Sequence, residues 1–297
     1  MRILVVGHEG YIGSGLFRYL GLRHDVLGWG RKEDILRLER DDLLARRIDA
    51  VVNCAVVFDR TSVVYQVGSP SDRVNLGGAR HLAEVLRGTK IAWIQISTKD
   101  VYGPGFDRRM VRETRYAYRP LALWGDDRAF APESVYGKSK LMAEIVCESH
   151  PASSVIRLSS CYTDDYHPHA NWMLRFVEGV LDRRPLLVTH NGKQFRDPLH
   201  VHDLGRLIER VLAKQAFGTK LNAGGGRANI LSLLEFIRLL DRRAEIRFVP
   251  GGDYGFAFGN ERAERLGWRP RIGVRERLDL LVANVRKQRP AGPGRAR

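Results

Sequence analysis

The chain has 297 residues, 44% of them hydrophobic, which suffices for one large α/β domain or a large domain with a small appendage. No apolar run is long enough to cross a bilayer, and the three cysteines, Cys54, Cys147 and Cys161, form no metal-ligand pattern, so we expect no metal and a reduced, cytoplasmic setting. The formal net charge of +15 is Arg-dominated and scattered; it suits an anionic substrate, and no basic helix interleaved with aromatic residues argues for nucleic acid.

Ile3 to Val6 is too short for a signal-peptide core and reads as a buried first strand. It enters Gly7-His8-Glu9-Gly10-Tyr11-Ile12-Gly13, after which Ser14 to Leu22 has helical spacing at Leu16, Tyr19 and Leu20. A glycine loop between strand and helix suits a dinucleotide. Gly7 permits the tight turn, Gly10 lets the backbone approach a pyrophosphate, and Gly13 lets helix and strand pack. Tyr11 and Ile12 belong to the same cofactor-facing loop, and the helix N-terminus faces the phosphates. The spacing is G-x-x-G-x-x-G rather than G-x-G-x-x-G.

Asp25 to Trp29 reads as a second strand. Its tip, Gly28-Trp29-Gly30-Arg31-Lys32, lacks the acid that usually accepts from the ribose 2′-hydroxyl of NAD. Arg31 and Lys32 can neutralise a 2′-phosphate, so the cofactor is NAD or NADP. Asp34 either bonds the adenine amino group or caps a turn. Ala50 to Asn53 is a third strand, and it delivers Cys54 and Ala55 to the cofactor side.

Asn75 to Leu86 reads as a helix and Ile91 to Ile96 as a buried strand ending at Ser97-Thr98. Parallel sheets place active groups at such strand ends, and the Thr98 hydroxyl can bond a substrate oxygen. Gly103 to Phe130, rich in Arg, Tyr, Pro and Gly, reads as a long loop over the cleft. In Tyr136-Gly-Lys-Ser-Lys140 a phenol and an ammonium lie one helical turn apart, roughly 6 Å along the axis. The ammonium stabilises a phenolate, so Tyr136 can act as acid or base, and Lys140 can also bond the nicotinamide ribose. The helix continues over Ser139 to Ser149, and Ser154 to Leu158 is strand-like.

This alternation indicates an α/β fold, a Rossmann-like doubly wound parallel sheet. After Ser160 it becomes irregular. Asn171 to Leu181 is helical, Leu186 to Thr189 extended and Asp203 to Ala213 helical. Gly224-Gly225-Gly226 is a turn before a helix around Leu231 to Leu240. The expected division is a dinucleotide-binding domain over 1–160, a smaller, partly interwoven substrate region over 161–285, and a flexible basic tail over 286–297.

These residues together resemble the extended short-chain dehydrogenase/reductase family, specifically its NAD-dependent epimerase/dehydratase group acting on nucleotide sugars. The likeness spans nearly the whole chain. Ser97-Thr98-Lys-Asp-Val-Tyr-Gly103 is similar to the family's S-[ST]-x-x-V-Y-G strand end, and Tyr136 to Lys140 to its Y-x-x-x-K. Arg196-Asp-Pro-Leu-His-Val-His-Asp203 resembles its R-D-F-x-H-V-x-D segment, which implies that Arg196 contacts the nucleotide or diphosphate of the substrate. Asn222-Ala-Gly-Gly-Gly226 and Leu266-Gly-Trp-Arg-Pro270 are similar to two further signatures. The departures are specific. Lys99-Asp100 stands where hexose dehydratases carry Asp-Glu. Arg157-Leu-Ser-Ser-Cys-Tyr-Thr163 lacks the Asn of R-x-x-N-x-Y-G, and Val249-Pro-Gly-Gly-Asp253 lacks the Arg of R-x-G-D.

The resemblance implies a nucleotide-sugar epimerase working through a transient keto-sugar, with Thr98, Tyr136 and Lys140 catalytic, Thr98 and Arg196 on the substrate, and a homodimer. An NADPH-dependent 4-keto-sugar reductase, favoured by Arg31, is the first alternative. A non-catalytic dinucleotide sensor or RNA-binding protein, suggested by the basic charge, is the second.

Overall fold

A computed structural model describes residues 1–59, 61–168 and 171–289. The first half alternates as the hydrophobic pattern requires: β1 (Arg2–Val6), α1 (Tyr11–Gly21), β2 (Asp25–Trp29), α2 (Arg40–Ala45), β3 (Ala50–Asn53), α3 (Gly78–Leu86) and β4 (Ala92–Thr98). After the hairpin β5 (Val111–Glu113) and β6 (Tyr118–Pro120) come α4 (Val135–Cys147) and β7 (Ser153–Leu158). One turn of wider π-type helix, Asp72–Gly77, leads into α3.

The second half holds β8 (Ser160–Tyr162), α5 (Trp172–Leu181), β9 (Leu186–Val188), β10 (Phe195–Arg196), β11 (Pro198–His200) and α6 (Val201–Lys214). It closes with β12 (Thr219–Ala223), β13 (Leu231–Ser232), α7 (Leu233–Leu240), β14 (Ile246–Phe248), α8 (Glu261–Arg265) and α9 (Val274–Gln288). None of the described helices is long and apolar enough to cross a membrane.

The central sheet has six strands in the order β12-β7-β4-β3-β1-β2, all parallel. Its strands are apolar on both sides because helices cover both faces. Ile3 and Val5 of β1 enter one layer with Leu16 of α1 and Leu204, Leu207 and Ile208 of α6. Leu4 and Val6 enter the other with Leu82 and Leu86 of α3 and Ala143 of α4. From β1 the chain moves outward to β2 and then returns past β1 to β3, so the topological switch lies between β1 and β3. A doubly wound sheet opens its ligand crevice there.

The division at 160 cuts across this sheet. Its sixth strand, β12, comes from the second half, and α6 packs against α1. α9 runs to Gln288, so residues 286–288 of the expected tail are helical, while 290–297 lie outside the described residues. α6 begins two residues before the expected start, because the His200 side chain accepts from the backbone N–H of His202 and caps the helix.

The expected loop over the cleft is a folded arm. Besides the hairpin it donates from the Phe106 N–H to the Gly255 carbonyl (2.7 Å) and from the Trp124 N–H to the Ala257 carbonyl (3.0 Å). Phe106, Trp124, Phe195, Phe256 and Phe258 form one aromatic cluster beneath it. Burying such rings contributes about 2–3 kcal/mol each, which explains why a Gly- and Arg-rich stretch is ordered.

Candidate active site

The glycine loop stands at the switch point between β1 and β3. Gly7 has φ +80°, and a Cβ there would come within 2.8 Å of the Ala55 nitrogen at the end of β3. A Cβ on Gly13 would collide with the Gly7 carbonyl, so Gly13 closes the loop on itself rather than packing helix on strand. Gly10 is the residue before α1. Its N–H donates to the Gly7 carbonyl (3.0 Å), and no side chain caps the helix. The first-turn N–H groups of α1 are thus left for a phosphate.

Tyr11 contributes to this loop through its backbone. Its phenol is turned away and accepts from the Thr163 N–H (3.2 Å) and Asn171 Nδ2 (2.8 Å), while burial pushes its pKa up. Ile12 packs against the core. Cys54 donates its N–H to the Val6 carbonyl (2.9 Å), and burial pushes its thiol up to about 12. The Ala55 N–H is held by Asn53 Oδ1 (3.1 Å).

The tip of β2 carries two carboxylates beside the two expected cations, Arg31 and Lys32. Gly30 stands where the acid is missing, but Glu33 Oε2 accepts from the Gly30 N–H (2.7 Å) and Glu9 Oε2 accepts from the Arg31 N–H (3.1 Å). A Cβ on Gly30 would sit 2.7 Å from the Glu9 carboxylate and 2.9 Å from that of Glu33. Two carboxylates therefore occupy the space of the absent side chain. Hydrogen bonds from its own backbone N–H and that of Gly30 hold the Glu33 pKa below the usual carboxylate range. A ribose diol suits these oxygens better than a 2′-phosphate does. Asp34 caps a 3-10 turn through the Leu36 N–H (3.2 Å) and pairs with Arg73 (3.1 Å), the second of its two sequence readings.

Replacing both Glu9 and Glu33 by alanine should raise the affinity for NADPH relative to NADH by about tenfold, since Coulomb repulsion of the 2′-phosphate is removed. Fluorescence titration of both nucleotides measures this, and an unchanged ratio refutes the assignment.

Thr98 ends β4 and is 4% exposed. Its hydroxyl donates to Asp100 Oδ2 (3.0 Å) and accepts from the Asp100 N–H (3.2 Å). The other Asp100 oxygen takes Lys99 Nζ (2.7 Å), whose ammonium lies over the Phe256 ring. Tyr136 lies in the first turn of α4, which Ser134 caps through the Gly137 N–H (3.1 Å). A Cβ on Gly137 would meet the Asp100 carbonyl at 2.5 Å. That close approach presses the Tyr136 turn onto the segment after Thr98. The Tyr136 ring, 5% exposed, packs on Phe58 with centroids 4.8 Å apart.

Lys140 follows one turn later and is 3% exposed. Burial lowers its pKa to about 8. The sign for stability follows directly. Below about 8 the folded protein must hold a desolvated cation, and above the ordinary lysine pKa of about 10.4 neither state does. Lys140→Met should therefore raise stability by about 2–3 kcal/mol at pH 7, with the gain vanishing towards pH 11. Denaturant melts at the two pH values test this.

Glu144 and Arg157 are fully buried and paired. Glu144 accepts from Arg157 Nε (3.1 Å) and from an Arg157 terminal nitrogen (2.7 Å), as well as from Ser97 Oγ. Arg157 also donates to the Tyr102 hydroxyl (2.6 Å), which donates to Asn222 Oδ1 (2.8 Å). The network joins α4, β4, β7 and β12 around the catalytic candidates. Neither Glu144 nor its role was read from the sequence; the available signal was an acid one turn beyond Lys140 on the same helix face.

Arg196 lies on β10, beside the Phe256 ring that Lys99 also faces. It pairs with both Asp253 oxygens (2.9 and 3.2 Å), and its guanidinium lies over Phe256. The Val249-to-Asp253 segment that lacks its family arginine thus supplies an aspartate to Arg196. The cation expected to face a diphosphate unaided already has a carboxylate beside it.

The model of the family described as the NAD dependent epimerase/dehydratase family matches residues 3–224. Among curated proteins the chain is 27% identical over 331 residues to the dTDP-glucose 4,6-dehydratase of Streptomyces griseus, covering 97% of this chain and 95% of that protein. It is 23% identical over 319 residues to UDP-glucuronic acid decarboxylase 2 of Arabidopsis thaliana, covering 97% and 69%. Among solved structures it resembles the UDP-glucuronic acid 4-epimerase of Bacillus cereus in complex with UDP-glucuronic acid and NAD. That likeness has a TM-score of 0.82 and 23% identity, and covers 97% of this chain and 100% of the other.

Proposed function

We propose, from the premise that this chain belongs to the NAD dependent epimerase/dehydratase family, that it is an NAD-dependent nucleotide-sugar epimerase acting through a transient keto-sugar. The residues present suit NAD. The Gly7 and Gly13 cradle has no room for a Cβ, the α1 N–H groups are uncapped, and two carboxylates frame the place of the ribose diol. Held by these residues, NAD would supply the hydride acceptor for oxidation of the sugar carbon and, once reduced, the hydride donor for its return.

Tyr136 removes the proton from the sugar hydroxyl as that carbon is oxidised. Lys140, one turn along α4, stabilises the phenolate. Thr98 bonds the same oxygen by turning its hydroxyl hydrogen to it from Asp100 Oδ2. Tyr136 then gives the proton back to the keto oxygen when the opposite face is reduced. Arg196 and Asp253 lie on the substrate's nucleotide side. The pair Lys99-Asp100 carries the distinction from dehydration. Lys99 cannot supply the carboxyl that the elimination uses, and Asp100 is engaged by Thr98 and Lys99.

The reductase alternative draws on Arg31 and on the rather short chain, and the Glu9 and Glu33 carboxylates weigh against the first of these. A cytoplasmic setting agrees with the three free thiols, and a homodimer, as the resemblance implies, is tested by light scattering of the purified chain. The function itself is tested by incubating purified protein with UDP-glucuronic acid, UDP-glucose or dTDP-glucose without added cofactor. NMR of the products should show an epimer, and denaturation should release NAD. Loss of water or carbon dioxide from the sugar, or stoichiometric NADPH consumption with a keto-sugar nucleotide, would overturn the reading.

A further inference from the structure

The chain that leaves β3 after Ala55 reaches the first turn of α4 within a few residues. The Asp59 carbonyl accepts from the Tyr136 N–H (2.9 Å) and the Ser62 carbonyl from the Val135 N–H (2.8 Å). A helix start leaves these groups without an intrahelical partner, and Ser134 Oγ takes the next one, from Gly137. Asp59 Oδ1 in turn accepts from the Ser62 N–H (3.0 Å), which fixes the bend between the two carbonyls. Upstream, Asn75 is 1% exposed and bonds both polar groups of the Val57 main chain (2.8 and 2.9 Å). Its Nδ2 also donates to Ser139 Oγ (2.9 Å), which donates to the Tyr136 carbonyl (2.9 Å).

The Tyr136 main chain is thus held at its N–H by Asp59 and at its carbonyl by Ser139. Neither bond orients the ring, and a proton-transfer group must meet its partner within hydrogen-bond reach. Phe58, the neighbour of Asp59, packs on that ring with the planes tilted by 38°. Phe58 itself is 61% exposed, whereas Tyr136 is 5% exposed. An aromatic side chain left so open gains little from its own burial, so the contact serves the ring beneath it.

We propose that Phe58 is a positioning residue: it holds the Tyr136 ring in the orientation that aims the hydroxyl at the sugar hydroxyl, while the Asp59 carbonyl holds the turn below. The proposal rests on the acid–base role read above for Tyr136. Phe58→Ala and Phe58→Tyr are made with and without Tyr136→Phe. Each protein is mixed with UDP-glucuronic acid, UDP-glucose or dTDP-glucose in a single turnover, and reduction of bound NAD is followed by absorbance.

Phe58→Ala should slow the reduction about tenfold, with half-saturation by the sugar and the affinity for NAD each within about twofold. Phe58→Tyr restores an aromatic ring and should recover the rate. In the Tyr136→Phe background Phe58→Ala should cost nothing further, because the hydroxyl it orients is gone, whereas a merely structural residue would lose rate in both backgrounds. A second readout needs no sugar. NMR relaxation of ring-labelled tyrosine, with the Tyr136 signal identified by its loss in Tyr136→Phe, should show a less ordered ring in Phe58→Ala. An unchanged rate, a loss confined to sugar affinity, an equal further loss in the Tyr136→Phe background, or unchanged ring order would each overturn the proposal. Failure of all three sugars to reduce the cofactor would count against the proposed function instead, and ring order would then decide the role of Phe58 by itself.

Discussion

Tyr136→Phe should lower turnover of a sugar nucleotide by about 10²- to 10⁴-fold, the range for loss of a positioned acid–base group, while the affinity for NAD stays within about threefold. The substitution removes one oxygen from a ring that is 5% exposed and packed on Phe58, so the shape of the site survives. Lys140 stays in place for the cofactor-ribose bond proposed for it. Lys140→Met should give a comparable loss in turnover, accompanied by weaker NAD binding. Single-turnover absorbance of the reduced nicotinamide separates the cases. A Tyr136→Phe protein that still forms the keto-sugar at the normal rate would show that another group removes the proton. Full activity in that variant would favour a binding protein over an enzyme.

Arg157→Met should destabilise the fold by about 3–5 kcal/mol, on the order of 10 °C in Tm, because it strands the Glu144 carboxylate without its partner. Both side chains are essentially inaccessible to solvent, at 0% and 1% exposure, so no water screens the orphaned charge. The double variant Glu144→Met with Arg157→Met should recover much of that loss, since replacing a buried pair by apolar groups is often close to neutral. Equilibrium urea melts of the three variants close the cycle. If the single and double variants are equally unstable, the network acts through packing rather than charge. Activity adds an independent readout. The double variant should lose turnover even where it is stable, because Glu144 and Ser97 tie the Tyr136 helix to the strand that carries Thr98.

Much of this architecture was legible locally. The β1-loop-α1 unit, the strand ends at Asn53 and Thr98, and the Tyr136-Lys140 turn each lie within a few residues of one another, so spacing and side-chain period report them. The helix expected over Asn171 to Leu181 forms as Trp172–Leu181 with Asn171 as its cap. The arm over Gly103 to Phe130 reads as a loop from its Arg, Tyr, Pro and Gly content. Its order comes from rings at 195, 256 and 258, more than sixty residues downstream, which no local window contains.

The sequence by itself determined the parallel α/β plan, the dinucleotide loop, the catalytic candidates and the family, because these rest on contacts between near neighbours in the chain. Tertiary structure alone brought two carboxylates beside the cations at the tip of β2. Glu33 folds back over three residues, but Glu9 arrives from a different loop, and only the pairing of β1 with β2 brings them to Gly30. It likewise gave Arg196 its partner Asp253 and drew the sixth strand from the second half. Charges and donors act over a few ångströms of space, whatever the length of chain between them.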